Sequence, residues 1–264
     1  MPRRRSSSSA LLFRRFTVVM LLAVGAYLAW YVVRRFVPSL DADTETSFRV
    51  YPGFGIALPE NYAIHGIDVS RYQKRVNWGL VKKMQDGGVS ISFAFVKATE
   101  GTTIVDEQFK RNWKKAADQQ MVRGAYHFFS QQSDGHRQAL YFIKHVKLNK
   151  GDLPPVLDVE HYNGDDLDAF LDEIAVWLRV VEDYYKVKPI IYSNAAFYNR
   201  YLHDRFAEYP LWVAHYLERR QPRVDRAWHF WQHSESGRVN GITAPVDFNV
   251  FNGSRAEFDA LLVR

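Results

Sequence analysis

The chain has 264 residues, enough for one large domain or two small ones with a sizeable core. It has no cysteine, which excludes disulfides and thiolate metal sites. The formal charge of +6 is concentrated at one end: residues 1–35 carry seven Arg and no acid, and the remainder holds 28 basic against 29 acidic residues. The body is therefore nearly neutral and has no nucleic-acid footprint.

In chain order, residues 1–15 form an Arg-rich segment interrupted by the short polar run Ser6–Ser9. Phe16–Val33 (FTVVMLLAVGAYLAWYVV) is 18 residues without a charge, just long enough to cross a bilayer core as a helix. Trp30 and Tyr31 suit a headgroup interface, and five Arg before the segment against two after it place the N-terminus in the cytoplasm. Arg34 and Arg35 come directly after it with no small-x-small cleavage site, so the expectation is an uncleaved, single-pass signal anchor with the body outside the cytoplasm. Residues 34–63 read as a linker. Its second half, YPGFGIALP, is apolar enough to pack on the domain beyond it.

Residues 64–264 alternate short apolar runs with helical stretches, one domain throughout. The expected strands are Ile64–Val69, Ile91–Lys97, Val122–Phe129, Pro155–Glu160, Pro189–Ser193, Leu211–Ala214, Trp228–Gln232 and Val246–Val250. Helices are expected at Trp78–Asp86, Asp106–Gln120, Gly135–Val146, Leu167–Tyr185 and Ala196–Phe206. Five βα units followed by three strands with little helix between them argue for a mostly parallel α/β barrel.

Polar residues fall at the ends of these strands. Asp68 closes the first, Lys97 the second, and Tyr126 and His127 lie near the end of the third. Asp158 and Glu160 close the fourth, Tyr192 and Asn194 the fifth; His215 follows the sixth, Gln232 closes the seventh and Asp247 lies on the eighth. In a β/α barrel the C-terminal strand ends open on one face, which hosts the active site. Asp158 and Glu160, spaced by two on a strand, would point the same way, and two adjacent carboxylates are costly unless a counter-charge, a metal or a shared proton relieves them.

Several multi-residue motifs carry a resemblance: HGIDVSRYQ (65–73) with NW (77–78), FVKATEGTT (95–103), GAYHFF (124–129), PVLDVE (155–160), IIYSN (190–194), LWVAHY (211–216), WQ (231–232) and VDFNVF (246–251). In this order, from Ile64 to the C-terminus, they resemble glycoside hydrolase family 25, the lysozymes (N-acetylmuramidases) of bacteria and phages. The resemblance implies a flattened TIM-like barrel of the (β/α)5(β)3 type, here preceded by a single N-terminal transmembrane helix. It implies cleavage of the β-1,4 bond between N-acetylmuramic acid and N-acetylglucosamine in peptidoglycan, with no cofactor. The implied setting is the bacterial inner membrane with the catalytic domain on the periplasmic side.

The family's acidic quartet falls on Asp68, Asp158, Glu160 and Asp247. Glycoside hydrolysis needs a proton for the leaving oxygen and stabilisation of an oxocarbenium-like centre. Glu160, crowded by other acids, is the expected general acid, with Asp158 ionised and assisting the substrate's own 2-acetamido group. Asp68 and Asp247 are expected to shape the field. Tyr126, Tyr192, Lys97, Gln232 and Trp212 are the candidate substrate-binding side chains. The rival readings are a membrane-tethered peptidoglycan-binding protein without activity, and a metal-dependent hydrolase, since Asp/Glu clusters also bind hard cations.

Overall fold

The structure is a computed structural model that describes residues 46–264. Eight strands close a barrel: β1 (Ile64–Val69), β2 (Val89–Glu100), β3 (Val122–Phe128), β4 (Val156–Asp158), β5 (Ile190–Asn194), β6 (Leu211–Ala214), β7 (Phe230–Gly237) and β8 (Val246–Phe251). Neighbours pair in parallel from β1 through β7, while β8 runs antiparallel to both β7 and β1. Helices α1 (Trp78–Lys83), α2 (Phe109–Asp118), α3 (Gly135–His145) and α4 (Leu167–Tyr185) fill the first four crossovers. After β5 comes a helical turn, Ala195–Phe197, that widens into π-helix at Tyr198–Leu202.

Local sequence explains these elements. In α4 the buried residues Phe170, Leu171, Ile174, Trp177, Leu178 and Val181 recur at helical spacing. Asp166 caps its start by accepting from the Ala169 N–H at 3.0 Å. On the strands the period is two. Ile64, Phe93, Phe95, Val156, Ile190, Trp212, Phe230 and Phe251 pack into an inner cluster, while Ile67, Ala94, Ala125, Leu157, Val213 and Val250 join the larger outer core beneath the helices. The inner cluster is aromatic enough to require missing side chains elsewhere. A Cβ at Gly66 would lie 2.4 Å from the Phe93 ring, and one at Gly124 would lie 2.6 Å from Phe95.

Three parts of the fold differ from the sequence reading. The end of the expected linker forms an antiparallel hairpin, Phe48–Tyr51 with Ile56–Pro59, turning through Gly55 at φ +71°. It covers the side of the barrel that lacks helices: Phe54 meets Phe248 at 5.2 Å between ring centroids, and Phe48 meets Trp231 at 6.0 Å. The helix expected over Ala196–Phe206 stops at Leu202, where His203, Asp204 and Arg205 turn exposed side chains to solvent. A C-terminal helix α5 (Arg255–Leu261), unforeseen in the sequence, starts in a Ser254/Glu257 capping box and seats Phe258 on the inner aromatic cluster. The expected anchor Phe16–Val33 lies outside the described residues; among those described, no helix is long and apolar enough to cross a membrane.

Candidate active site

The strand alternation that builds the inner cluster also delivers the polar residues. Two positions beyond Gly66 on β1 is Asp68, and the antiparallel register sets Asp247 of β8 directly opposite it. Asn249 and Gln232 complete the group: the Gln232 and Asn249 side-chain amides each donate to Asp68 Oδ2 at 2.8 Å. Asp68 and Asp247 also hydrogen-bond to each other. Burial first, and the Asp68 charge second, push the Asp247 carboxyl up to about 9. Asp247 is therefore the member of this pair that carries a proton at neutral pH, and Asp68 accepts from three donors. Burial raises Asp68 as well, opposed by those same hydrogen bonds.

The D-x-E pair is built differently from the expectation. Strand β4 ends at Asp158, so the alternation argument does not reach Glu160. Asp158 is buried, and its Oδ1 has no hydrogen-bond partner. Glu160 is half-buried and lies just past the strand. The chain still follows β5 there: the Val159 N–H donates to the Tyr192 carbonyl at 2.9 Å, and Ser193 Oγ donates to the Val159 carbonyl at 2.7 Å.

Burial, then the Glu160 charge, raise the Asp158 carboxyl well above the ordinary range, opposed by Lys97. Glu160 is also raised, by burial first; the neighbouring His161 and a hydrogen bond from Tyr192 work against that. The expectation that Asp158 stays ionised while Glu160 holds the proton is thus reversed in the ligand-free protein. The cause is that Asp158 lies deeper and lacks a donor. The pair titrates as a unit with one proton favoured on it.

The expected binding residues occupy distinct levels. Gln232 is a hub: while its amide donates to Asp68, its Oε1 accepts from the Tyr192 hydroxyl at 2.7 Å and from the Tyr216 hydroxyl. Lys97 pairs with Glu100 at 2.7 Å and lies 4.7 Å from the Phe128 ring centroid. Tyr126 is half-buried among Asp68, Asp158 and Asp247, whose charges add to burial in raising its hydroxyl. Trp212 is 2% exposed, stacks on Phe95 at 4.2 Å and donates its indole N–H to Asn249 Oδ1 at 2.8 Å. It forms the floor under the polar layer, so a sugar meets Tyr126 and Tyr192 above it.

Asn249 and Tyr216 are members of this network that sequence reasoning left out. Asn249 could have been found by counting two residues on from Asp247 along β8, and Tyr216 by its place just beyond the end of β6. After Tyr216 the rim is braced: buried Glu218 accepts from the backbone N–H groups of Arg219 and Arg220 and from Arg223 Nε at 2.6 Å.

His127 faces the helices, bonded to Thr99 at 2.7 Å and Gln138 at 3.2 Å, and burial holds it neutral by lowering it to about 3. His215 likewise serves the rim, its Nδ1 accepting from the Arg223 N–H. Among the described residues no group of three or more His, Asp or Glu is placed to hold a metal ion.

Comparison with known proteins agrees with this architecture. The chain is 47% identical over 215 residues to the uncharacterised protein YegX of Escherichia coli strain K12, covering 81% of this chain and 79% of that protein. It is 36% identical over 221 residues to Lysozyme M1 of Streptomyces globisporus, covering 78% and 74% of the two chains. Among solved structures, a family 25 glycosyl hydrolase from Bacillus anthracis superposes with a TM-score of 0.71 at 33% identity, over 83% of this chain and 98% of that one. A bacterial lysozyme from Streptomyces coelicolor does so with 0.68 at 34% identity, over 76% and 98%. Residues 67–242 match the profile of Glycosyl hydrolases family 25. That span runs from the strand carrying Asp68 past the one carrying Gln232, and the chain belongs to this family of glycoside hydrolases.

Proposed function

We propose that the chain is a muramidase that cleaves the β-1,4 bond between N-acetylmuramic acid and N-acetylglucosamine in peptidoglycan. The observation that carries this reading is the set of four carboxyl groups at one barrel mouth, two of them sharing a proton across β1 and β8 and two more on and just after β4. Similarity to Lysozyme M1 supports the same substrate.

In this reading Glu160, the more accessible of its pair, protonates the leaving oxygen. Asp158 Oδ1 lacks a donor in the ligand-free protein. The N–H of a substrate acetamido group would supply one, favour the Asp158 carboxylate and move the pair's proton to Glu160. Asp158 then holds the acetamido oxygen's own attack on the anomeric carbon in line. Asp68, satisfied by Gln232, Asn249 and Asp247, stays ionised and sets the field around them.

The anchor is part of the proposal: Phe16–Val33 holds the protein in the inner membrane with the barrel in the periplasm, on the strength of the Arg bias and the uncharged length. Proteolysis of spheroplasts should remove the barrel; a protected barrel would overturn the placement. For the chemistry, purified peptidoglycan is digested and its new reducing ends identified. Muramic acid at the new ends supports the reading, and an unchanged glycan leaves a peptidoglycan-binding protein without activity.

A further inference from the structure

Outside the mouth, positive charge is unevenly spread. Residues 71–83 carry five Lys or Arg and no acid, and α2 carries four against Asp118 alone. These segments flank a cleft of about 300 Å³ whose polar lining is Arg75, Asn77, Trp78, Arg111, Lys115 and Gln119. No carboxylate lines it. Arg111 is held in place by donating from Nη1 to the Val76 carbonyl and Asn112 Oδ1, both at 3.1 Å, which leaves the rest of its guanidinium to face a ligand. Lys115 shares Asp118 with Lys114, and Arg75 is exposed. The Trp78 indole nitrogen, on a side chain 2% exposed, has no acceptor. Fixed guanidinium, amide and ammonium donors in a concavity with an orphaned indole N–H make a site for planar anions.

The cleft belongs to the mouth side of the barrel. Its first wall starts just after Asp68, and α2 comes after the end of β2 that carries Lys97. The Asn77 N–H donates to the Gly241 carbonyl, in the loop joining β7 to β8 beside Asp247. A polymer lying across the carboxyl cluster would extend its side branches over this rim.

We propose that this cleft is an accessory subsite for the carboxylates of the peptide stems that hang from the glycan strand. The proposal rests on the muramidase reading and deepens it. The cleft favours glycan that still bears its peptides, and its contribution is electrostatic, so it weakens as salt rises.

The test uses the full chain and two kinds of sacculi, with peptide stems intact and with stems removed by an amidase. Binding is read by co-sedimentation, so the result does not depend on hydrolysis. Wild type should bind intact sacculi more tightly than stripped ones. Arg75→Glu with Lys115→Glu, both exposed and outside the catalytic network, should weaken binding to intact sacculi by about fivefold or more and leave stripped sacculi unchanged. A milder pair, Arg75→Gln with Lys115→Gln, should fall between.

Equal binding of variant and wild type to intact sacculi would overturn the proposal. So would an equal loss on both kinds, or a loss confined to vesicles of anionic phospholipid, which would identify a lipid surface instead. Stem-dependent binding without any cleavage by wild type would remove the muramidase reading and leave the subsite standing.

Discussion

At the closed end of the barrel Phe93, Phe230, Phe251 and Phe258 meet ring to ring, with centroids 5.2–5.6 Å apart. Two to four residues further along the same strands, Asp68, Asp158, Gln232 and Asp247 meet as polar groups. Each apolar ring at the closed end gains burial and edge-to-face contact, roughly 0.5–1.5 kcal/mol per pair beyond area. At the mouth the raised carboxyls record an opposing term, since burial disfavours the charge that each acid would carry in the unfolded chain at neutral pH. One lumen thus holds a stabilising plug and a destabilising site, and the plug gives the site a rigid floor through Trp212.

Breaking the two ends should have opposite signatures. Glu160→Gln should lower turnover on peptidoglycan by about 10²–10⁴, the usual worth of a general acid, with little change in folding. Asp158→Asn should be nearly as damaging, because an amide cannot hold the acetamido group as a carboxylate does. Both are read from reducing-end release by preparations free of other muramidases; near-wild-type rates in Glu160→Gln would remove its assignment. Phe93→Ala at the closed end should instead cost about 3–5 kcal/mol in chemical denaturation, from lost burial and the cavity left among Phe95, Phe230 and Phe258. A loss below about 1 kcal/mol would mean the plug does not carry the fold.

Much of this division can be read in the sequence, because both ends obey the same period of two. Ile64, Gly66 and Asp68 sit on one face of β1, as do Asp247, Asn249 and Phe251 on β8. The parallel barrel and its acidic mouth follow from strand ends and spacing. Other features depend on partners remote in sequence. Nothing local to Asp158 says that its Oδ1 finds no donor, so spacing alone puts the shared proton on the wrong acid. The hairpin at 48–59 reads as linker because its burial comes from Phe248 and Trp231, near the other end of the chain. The α5 helix is signalled by Ser254-x-x-Glu257, a cue that composition alone passes over.

A second contrast separates the mouth from the outer layer under acid. His65, His127 and His233 are buried and neutral, lowered to about 4, about 3 and about 3, by burial first in each case. In the unfolded chain each takes a proton below about 6.5, so the stability from keeping them neutral is full above that pH and is lost as pH falls toward 3–4. At pH 5 this amounts to roughly 2 kcal/mol per histidine. His233 is the cleanest probe, since neither ring nitrogen has a partner. The stability gap between pH 7 and pH 5 should shift by about that amount in His233→Leu, favouring the variant at pH 5. An unchanged gap, measured by urea denaturation at both pH values, would show that His233 is already charged in the fold.

The mouth carboxyls work in the other direction. Asp247 is raised from 3.8 to about 9, so between those values the folded chain keeps a proton that the unfolded chain releases. Its contribution is fully present below about 3.8 and is lost as pH rises toward 9, which makes the protonated acid a liability at pH 7. Asp247→Asn keeps a donor in reach of Asp68 and removes the liability. It should therefore stabilise the protein at pH 7 by roughly 1–2 kcal/mol, a figure discounted for the partial exposure of the side chain. The gain should vanish near pH 4, where wild-type Asp247 is protonated in both states. Turnover should fall less than in Glu160→Gln, because an amide still satisfies Asp68 while losing only the movable proton. A variant less stable than wild type at pH 7 would show that Asp247 is ionised in the fold, leaving Asp68 with two donors instead of three.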